Sequence, residues 1–170
     1  MDEQLLEIEN LHVAFKVYAG TLKVLNGVNL TVGKGEKVGL IGEAGCGKTT
    51  MMKTILRILA DNAIVSEGEI LFGGKDLLKI DKKGLQMVRR KSISMVFQDP
   101  TAALNPVYKI GKQLSDIIKY SQIKSRKDLT KDEVKNEAVG ILKQVALPDP
   151  ERILDSYPFQ LSGGMRQRVC

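Results

Sequence analysis

Between residues 37 and 59 an apolar run, a glycine-rich loop and a stretch of helical periodicity follow one another directly. Lys37-Val38-Gly39-Leu40-Ile41 reads as a buried central strand, since a strand covered on both faces is apolar throughout. Gly42-Glu43-Ala44-Gly45-Cys46-Gly47-Lys48-Thr49 matches G-x-x-x-x-G-K-[ST]. Met51, Met52, Ile55, Ile58 and Leu59 then recur at spacings of three and four, which predicts an amphipathic helix over Thr49 to Leu59. Strand, loop and helix in that order form a phosphate cradle. Glycines at 42, 45 and 47 let consecutive backbone N–H groups converge on one oxyanion, and the helix amino terminus adds positive potential. Lys48 is placed to reach β- and γ-phosphates and the Thr49 hydroxyl to ligate Mg²⁺. The four fixed positions arise by chance in about one chain of this length in a hundred, or more rarely.

The rest of the composition narrows the class. A chain of 170 residues is about one domain, able to bury roughly 70% of the surface it exposes unfolded. With 43% hydrophobic and 27% charged residues it is an ordinary globular sequence, not a disordered, collagen-like or coiled-coil one. No run approaches the roughly 18 apolar residues needed to cross a bilayer, and Met1-Asp2-Glu3-Gln4 is acidic where a secretory signal is basic. Two cysteines, Cys46 and Cys170, cannot build a disulfide framework, which fits a reducing cytosolic compartment. The net charge of +6 divides between the two parts of the chain with no strong bias, so it permits an anionic partner without singling one out.

Leu5 to Phe15 and Val24 to Val32 partly alternate and end in turn residues, and Glu67 to Phe72 and Ser92 to Phe97 have similar character. All four are expected to be strands, with a helix near Gly84 to Arg90. After Gln98-Asp99-Pro100 the pattern changes for sixty residues to helical spacing, in Lys109 to Tyr120 and Asp132 to Leu147, with a polar linker from Ser125 to Lys131.

A second constellation, Leu161-Ser162-Gly163-Gly164-Met165-Arg166-Gln167-Arg168, sets a good helix cap, two glycines and a basic helical segment in a row. By itself it reads equally as an anion site or as an ordinary Ser-capped helix. The order of phosphate loop, Gln98 after a strand, helical insert and LSGGMRQRV resembles the nucleotide-binding domain of ATP-binding cassette (ABC) transporters over essentially the whole chain. Phe97-Gln98-Asp99-Pro100, Leu104-Asn105-Pro106 and Tyr157-Pro158 are similar to the oligopeptide, dipeptide and nickel importer branch, from which Ala44 and Phe159-Gln160 depart.

The resemblance implies an α/β fold: a P-loop NTPase core of ABC type, with a parallel sheet plus an antiparallel β part and a helical insert. It implies an ATP-binding core over 1–100, a helical subdomain over 101–160, and the signature with the start of its helix over 161–170. ATP would lie on Gly42, Glu43, Ala44, Gly45, Cys46, Gly47, Lys48, Thr49 and Thr50, with Tyr18, or Phe15 on a shifted spacing, against adenine. Gln98 matches the glutamine that approaches Mg²⁺ and the attacking water, so Lys48 and Gln98 carry the catalytic roles and Thr49 and Gln98 the metal roles. Ser162, Gly163 and Gly164 match the signature that closes over the γ-phosphate held by a second ATPase subunit, head to tail. His12, the only histidine, sits in a strand pattern and reads as structural.

In the family a strand ending in Asp, a catalytic Glu and a switch His follow the signature helix. No match to them occurs in these 170 residues, so the fold is expected to be incomplete at the carboxyl end and the chain to be part of a longer ATPase. The function implied is the ATP-binding subunit of an importer for peptides or nickel. It would be cytoplasmic, peripheral at the inner face of the cell membrane, and docked on permease subunits without nucleic acid. The alternatives are an ABC-type ATPase acting on nucleic acid or ribosomes, and a nucleotide-binding fragment without hydrolysis.

Overall fold

The computed structural model describes residues 4–122 and 129–170, and the chain divides into two compact units, one up to Ile93 and one from Ser94 to Cys170. Ser125 to Asp128 of the expected linker lie outside the described residues.

The first unit is built on a four-stranded antiparallel sheet. Strands β1 (Gln4–Val17) and β2 (Gly20–Gly33) form a long hairpin; β3 (Ala63–Phe72) pairs with β1, and the two-residue β4 (Lys75–Asp76) covers the end of β3, giving the order β2-β1-β3-β4. The β1–β2 register shifts around Asn10 to Val13, where Asn10 takes φ 45°. Three contacts hold that irregularity: the Asn10 N–H donates to Asn29 Oδ1 at 2.8 Å, the Asn29 amide donates to the Gly27 carbonyl, and His12 Nε2 lies 3.0 Å from Asn10 Oδ1. His12 is therefore a structural part of the sheet. Helix α1 (Lys48–Ile55) packs Met51 and Ile55 onto Ile8, Leu11, Val13, Leu25, Ile70 and Leu77 to make the core. Helix α2 (Lys82–Lys91) begins at Asp81, whose side chain accepts from the Gly84 N–H, and buries only Leu85.

The second unit is helical among its described residues. It contains α3 (Pro100–Ala103), α4 (Ile110–Gln122), α5 (Lys131–Gln144), α6 (Pro150–Asp155), a single 3₁₀ turn at Pro158–Gln160 and α7 (Gly163–Val169). Ile110, Leu114 and Ile118 of α4 meet Val134, Ala138 and Leu142 of α5, two four-residue stripes that close on Ile153, Leu154 and Leu161. Thr130 and Glu133 form a reciprocal capping box at the start of α5. Gly111 lets α4 and α6 approach, because a Cβ there would sit 2.8 Å from the Leu154 carbonyl oxygen.

Two strand expectations need correction. Lys37–Ile41 has no regular secondary structure and pairs with no described strand, and Val38, Leu40 and Ile41 are 44%, 43% and 97% exposed. Ser92 caps α2 and the residues on to Phe97 form no ladder. Apolar runs report a preference for burial, whereas a strand needs a hydrogen-bonding neighbour, and the described sheet offers these segments none. The sheet seen here is consequently the antiparallel part alone.

Candidate functional site

The loop Gly42–Thr49 lies in the first unit, between the apolar segment Lys37–Ile41 and α1, whose first two residues it includes. Gly47 caps α1 at φ 100°, a left-handed conformation that glycine adopts without strain, and no side chain caps the helix there. A Cβ on Gly47 would also meet Leu25 Cδ2 at 2.7 Å, so the β1–β2 hairpin fixes how closely the loop lies on the sheet. On the loop's inner side a Cβ at Gly42 would approach Cys46 Sγ to 2.9 Å and Lys48 Nζ to 3.8 Å, closing a concavity that glycine leaves open. The first intrahelical bond, Met51 N–H to the Gly47 carbonyl at 2.9 Å, starts the helix that points its free amides at this concavity.

Lys48 Nζ donates to the carbonyls of Gly42 and Glu43, both at 2.6 Å, and lies 3.4 Å from Cys46 Sγ. All three ammonium hydrogens thus have acceptors in the loop itself. The ammonium is held over the concavity, and a bound phosphate oxygen would compete with neutral carbonyls for it, an exchange favoured by charge. Thr49 is exposed on the first turn of α1, and the Thr50 carbonyl accepts a 2.7 Å bond from the buried Thr54 hydroxyl. Ala44 and Glu43 are exposed along the loop. Tyr18 stands at the tip of the β1–β2 hairpin, fully exposed and without a ring contact, and Phe15 is partly buried against the core.

Sequence reasoning did not anticipate how α1 ends. Arg89 of α2 donates through Nε and Nη2 to the Leu56 carbonyl and through Nη2 to the Arg57 carbonyl, and Arg57, at φ 51°, donates to the Ile80 carbonyl at 2.9 Å. No local pattern marks a contact between residues 32 positions apart.

Gln98 and Ser162–Gly164 belong to the second unit. Gln98 is exposed; just before it, the Phe97 carbonyl accepts from the Gln167 side chain at 3.2 Å. Asp99 caps α3 by accepting from the Thr101 hydroxyl and N–H, and those two bonds hold its carboxyl below the usual carboxylate range. Ser162 caps α7, accepting from the Met165 N–H at 3.3 Å, with Leu161 buried beneath it. Arg168 donates to the Ala146 carbonyl at 2.7 Å and so pins α7 to the end of α5. Nothing lies within 4 Å of a Cβ built on Gly163 or Gly164, so this turn presents bare backbone to the outside. Cys46 and Cys170 are both unbridged.

Among the described residues no cluster of three or more His, Cys, Asp or Glu side chains could hold a metal ion. The loop's own donor set, one Thr hydroxyl beside a phosphate cradle, fits Mg²⁺ bound chiefly through phosphate oxygens and water. Among the described residues no helix is long and apolar enough to cross a membrane.

Residues 25–170 match the family model described as ABC transporter. The chain is 40% identical over 168 residues to the dipeptide transport ATP-binding protein DppD of Lactococcus lactis subsp. cremoris, covering 99% of this chain and 47% of that protein. It is 40% identical to the oligopeptide transport ATP-binding protein OppD of Bacillus subtilis, covering 98% of this chain and 45% of that one. The chain therefore spans about half the length of the curated relatives it matches. Among solved structures, the dimeric ATP-binding cassette MJ0796 bound to ADP and Pi superposes with a TM-score of 0.82 at 27% identity, covering 97% of this chain and 66% of that one. CbiO1 of Clostridium perfringens, part of the ABC transporter complex cbiONQ, gives 0.70 at 28% identity, covering 99% of this chain and 59% of that one. A family match over most of the chain, whole-chain identity to transport ATP-binding proteins and an α/β cassette fold agree: the chain belongs to the ABC transporter family.

Proposed function

We propose that this chain is the ATP-binding part of the energising subunit of a peptide importer, peripheral at the inner face of the cell membrane. The observation that carries the reading is the Lys48 ammonium poised by neutral loop carbonyls above a cradle that only glycine at position 42 leaves open. The identity to peptide transport ATP-binding proteins over nearly the whole chain supports peptides as cargo rather than nickel.

In this reading the loop amides from Gly42 to Thr50 bind the β-phosphate, Lys48 moves from its carbonyls to the β- and γ-phosphates, and Thr49 offers its hydroxyl to the metal. Mg²⁺, when bound, neutralises charge developing between the β- and γ-phosphates. Tyr18 stacks on adenine from the hairpin tip, and Gln98 orients the attacking water. The exposed backbone of Gly163 and Gly164, with Ser162, closes over the γ-phosphate held by a partner subunit. That division assigns residues 1–100 to ATP binding, 101–160 to contact with a permease and 161–170 to the partner's nucleotide. The solved MJ0796 cassette is a dimer, which supports pairing with a second ATPase subunit.

The test is calorimetric titration of the chain with MgATP alongside Lys48→Ala. Loss of the ammonium should weaken binding by at least tenfold, the scale of one charge-assisted contact. Equal affinity in the two proteins overturns the reading.

A further inference from the structure

The chain's positive charge is spread evenly between its two units but not within the first. Between Lys75 and Lys91 there are seven Lys or Arg and two Asp, so this segment holds +5 of the chain's net +6. Both acids are engaged by the fold. Asp81 Oδ1 accepts from the Gly84 N–H at 2.8 Å, and Asp76 accepts from the Leu78 N–H at 2.9 Å while pairing with Lys79 at 2.8 Å. Arg89 is likewise turned inward onto backbone carbonyls, and Arg90 is half-buried. Lys75, Lys82, Lys83 and Lys91 remain, all exposed and none in an ion pair among the described residues.

The placement works against the fold's own electrostatics. Lys82 and Lys83 occupy the first turn of α2, where the helix dipole disfavours cations and no acid is present. Three basic residues at its other end suit the dipole, but a helix selected for stability alone would carry acids in its first turn. Beside α2 lies a groove of about 720 Å³ floored by Leu77, Ile80, Met87 and Val88 and also lined by Lys75 and Lys91. Cations around an apolar hollow match phosphate headgroups above an acyl boundary.

We propose that this face of the first unit, centred on Lys82 and Lys83 with Lys75 and Lys91, binds the anionic phospholipid surface of a bilayer. Each lysine near such a surface contributes by long-range attraction that salt screens. A nucleic acid is the other polyanion the charge would attract. The segment from Lys75 to Lys91 contains no aromatic residue to stack on a base, and its inward-turned Arg89 has Nε and Nη2 engaged by backbone carbonyls. The proposal goes beyond the nucleotide reading and uses it only in preferring a membrane to RNA.

The whole chain is tested by co-flotation with phosphatidylcholine vesicles containing about 30% phosphatidylglycerol, a content that gives the surface a strong negative potential. Binding is expected at low salt, absent on pure phosphatidylcholine, and lost in high salt. The Lys82→Glu/Lys83→Glu double variant should bind about twenty-fold more weakly or worse, given the attraction each lysine contributes. Lys75→Glu/Lys91→Glu should also weaken it, whereas Lys135→Glu/Lys143→Glu, with the same charge change on α5, should retain it. All these side chains are exposed, so shifts in melting no larger than helix-dipole effects and unchanged MgATP affinity are expected, and they separate failure here from failure of the nucleotide reading. Equal binding to neutral vesicles, equal loss in the α5 variant, or transfer of the protein from vesicles to added single-stranded RNA overturns the proposal.

Discussion

Arg89 grips the carbonyl of Leu56 with two nitrogens, Nε at 2.9 Å and Nη2 at 2.5 Å. The guanidinium satisfies the Leu56 and Arg57 carbonyls just past the last residue of α1 and opposes the negative helix end. Since α1 begins at Lys48, the residue that closes this end also steadies the phosphate loop at the other. Replacing Arg89 with Ala leaves the partly buried Leu56 carbonyl without its donors and should destabilise the first unit by about 1–2 kcal/mol, measured by urea melting. Lysine, which lacks the planar pair of nitrogens that Arg89 sets on the Leu56 carbonyl, should recover less than half of that. A loss below about 0.5 kcal/mol would show the clamp to be incidental.

Two glycines in the helical unit should respond oppositely to alanine. At Gly111 the added Cβ meets the Leu154 backbone carbonyl at 2.8 Å, which no side-chain rotation relieves, so Gly111→Ala should cost about 1–3 kcal/mol. At Gly140, within α5, nothing lies within 4 Å, and Gly140→Ala should stabilise by up to about 1 kcal/mol through helix propensity. Thermal melts of the two variants test the α4–α6 approach directly; equal shifts would contradict it.

Burial pushes the Asp76 carboxyl up, but its hydrogen bond to Lys79 and those from backbone N–H groups outweigh burial and hold it below its ordinary value of 3.8. A carboxylate depressed in the folded state contributes stability that is fully present above its unfolded value and disappears as pH falls through the folded one. Asp76→Asn should therefore lower the urea midpoint near neutral pH and have little effect in acid well below the depressed value. A difference that persists undiminished in strong acid would mean that shape, not charge, explains Asp76.

Turnover by the isolated chain should be negligible. The acids that match the family's metal-holding Asp and water-polarising Glu are not among these 170 residues, and loss of a general base costs about 10²- to 10⁴-fold. Phosphate release by the purified chain should be close to background, with Lys48→Ala as the contamination control. Robust hydrolysis abolished by that substitution would mean that other groups, Gln98 among them, perform the chemistry.

Features governed by near neighbours in the chain are legible in the amino-acid sequence. The glycines of the phosphate loop, the Ser162 cap, the four-residue stripes of α4 and α5, and the alternation of Leu5–Phe15 and Val24–Val32 each reflect local preferences along the chain. The apolar spacing marks both ends of α4 and α5 to within a turn, whereas α1 stops at Ile55, short of its apolar stripe, because Arg57 leaves the helical region and Arg89 closes the end. Tertiary structure alone decides what each apolar run faces. Lys37–Ile41 is as apolar as any strand, yet it has no ladder among the described residues, since a hydrogen-bonding partner is a property of another segment and not of the run itself. It also decides which charges are free: Asp76, Asp81 and Arg89 look like surface charge in the sequence, and only the fold turns them onto its own backbone and leaves Lys82 and Lys83 outside.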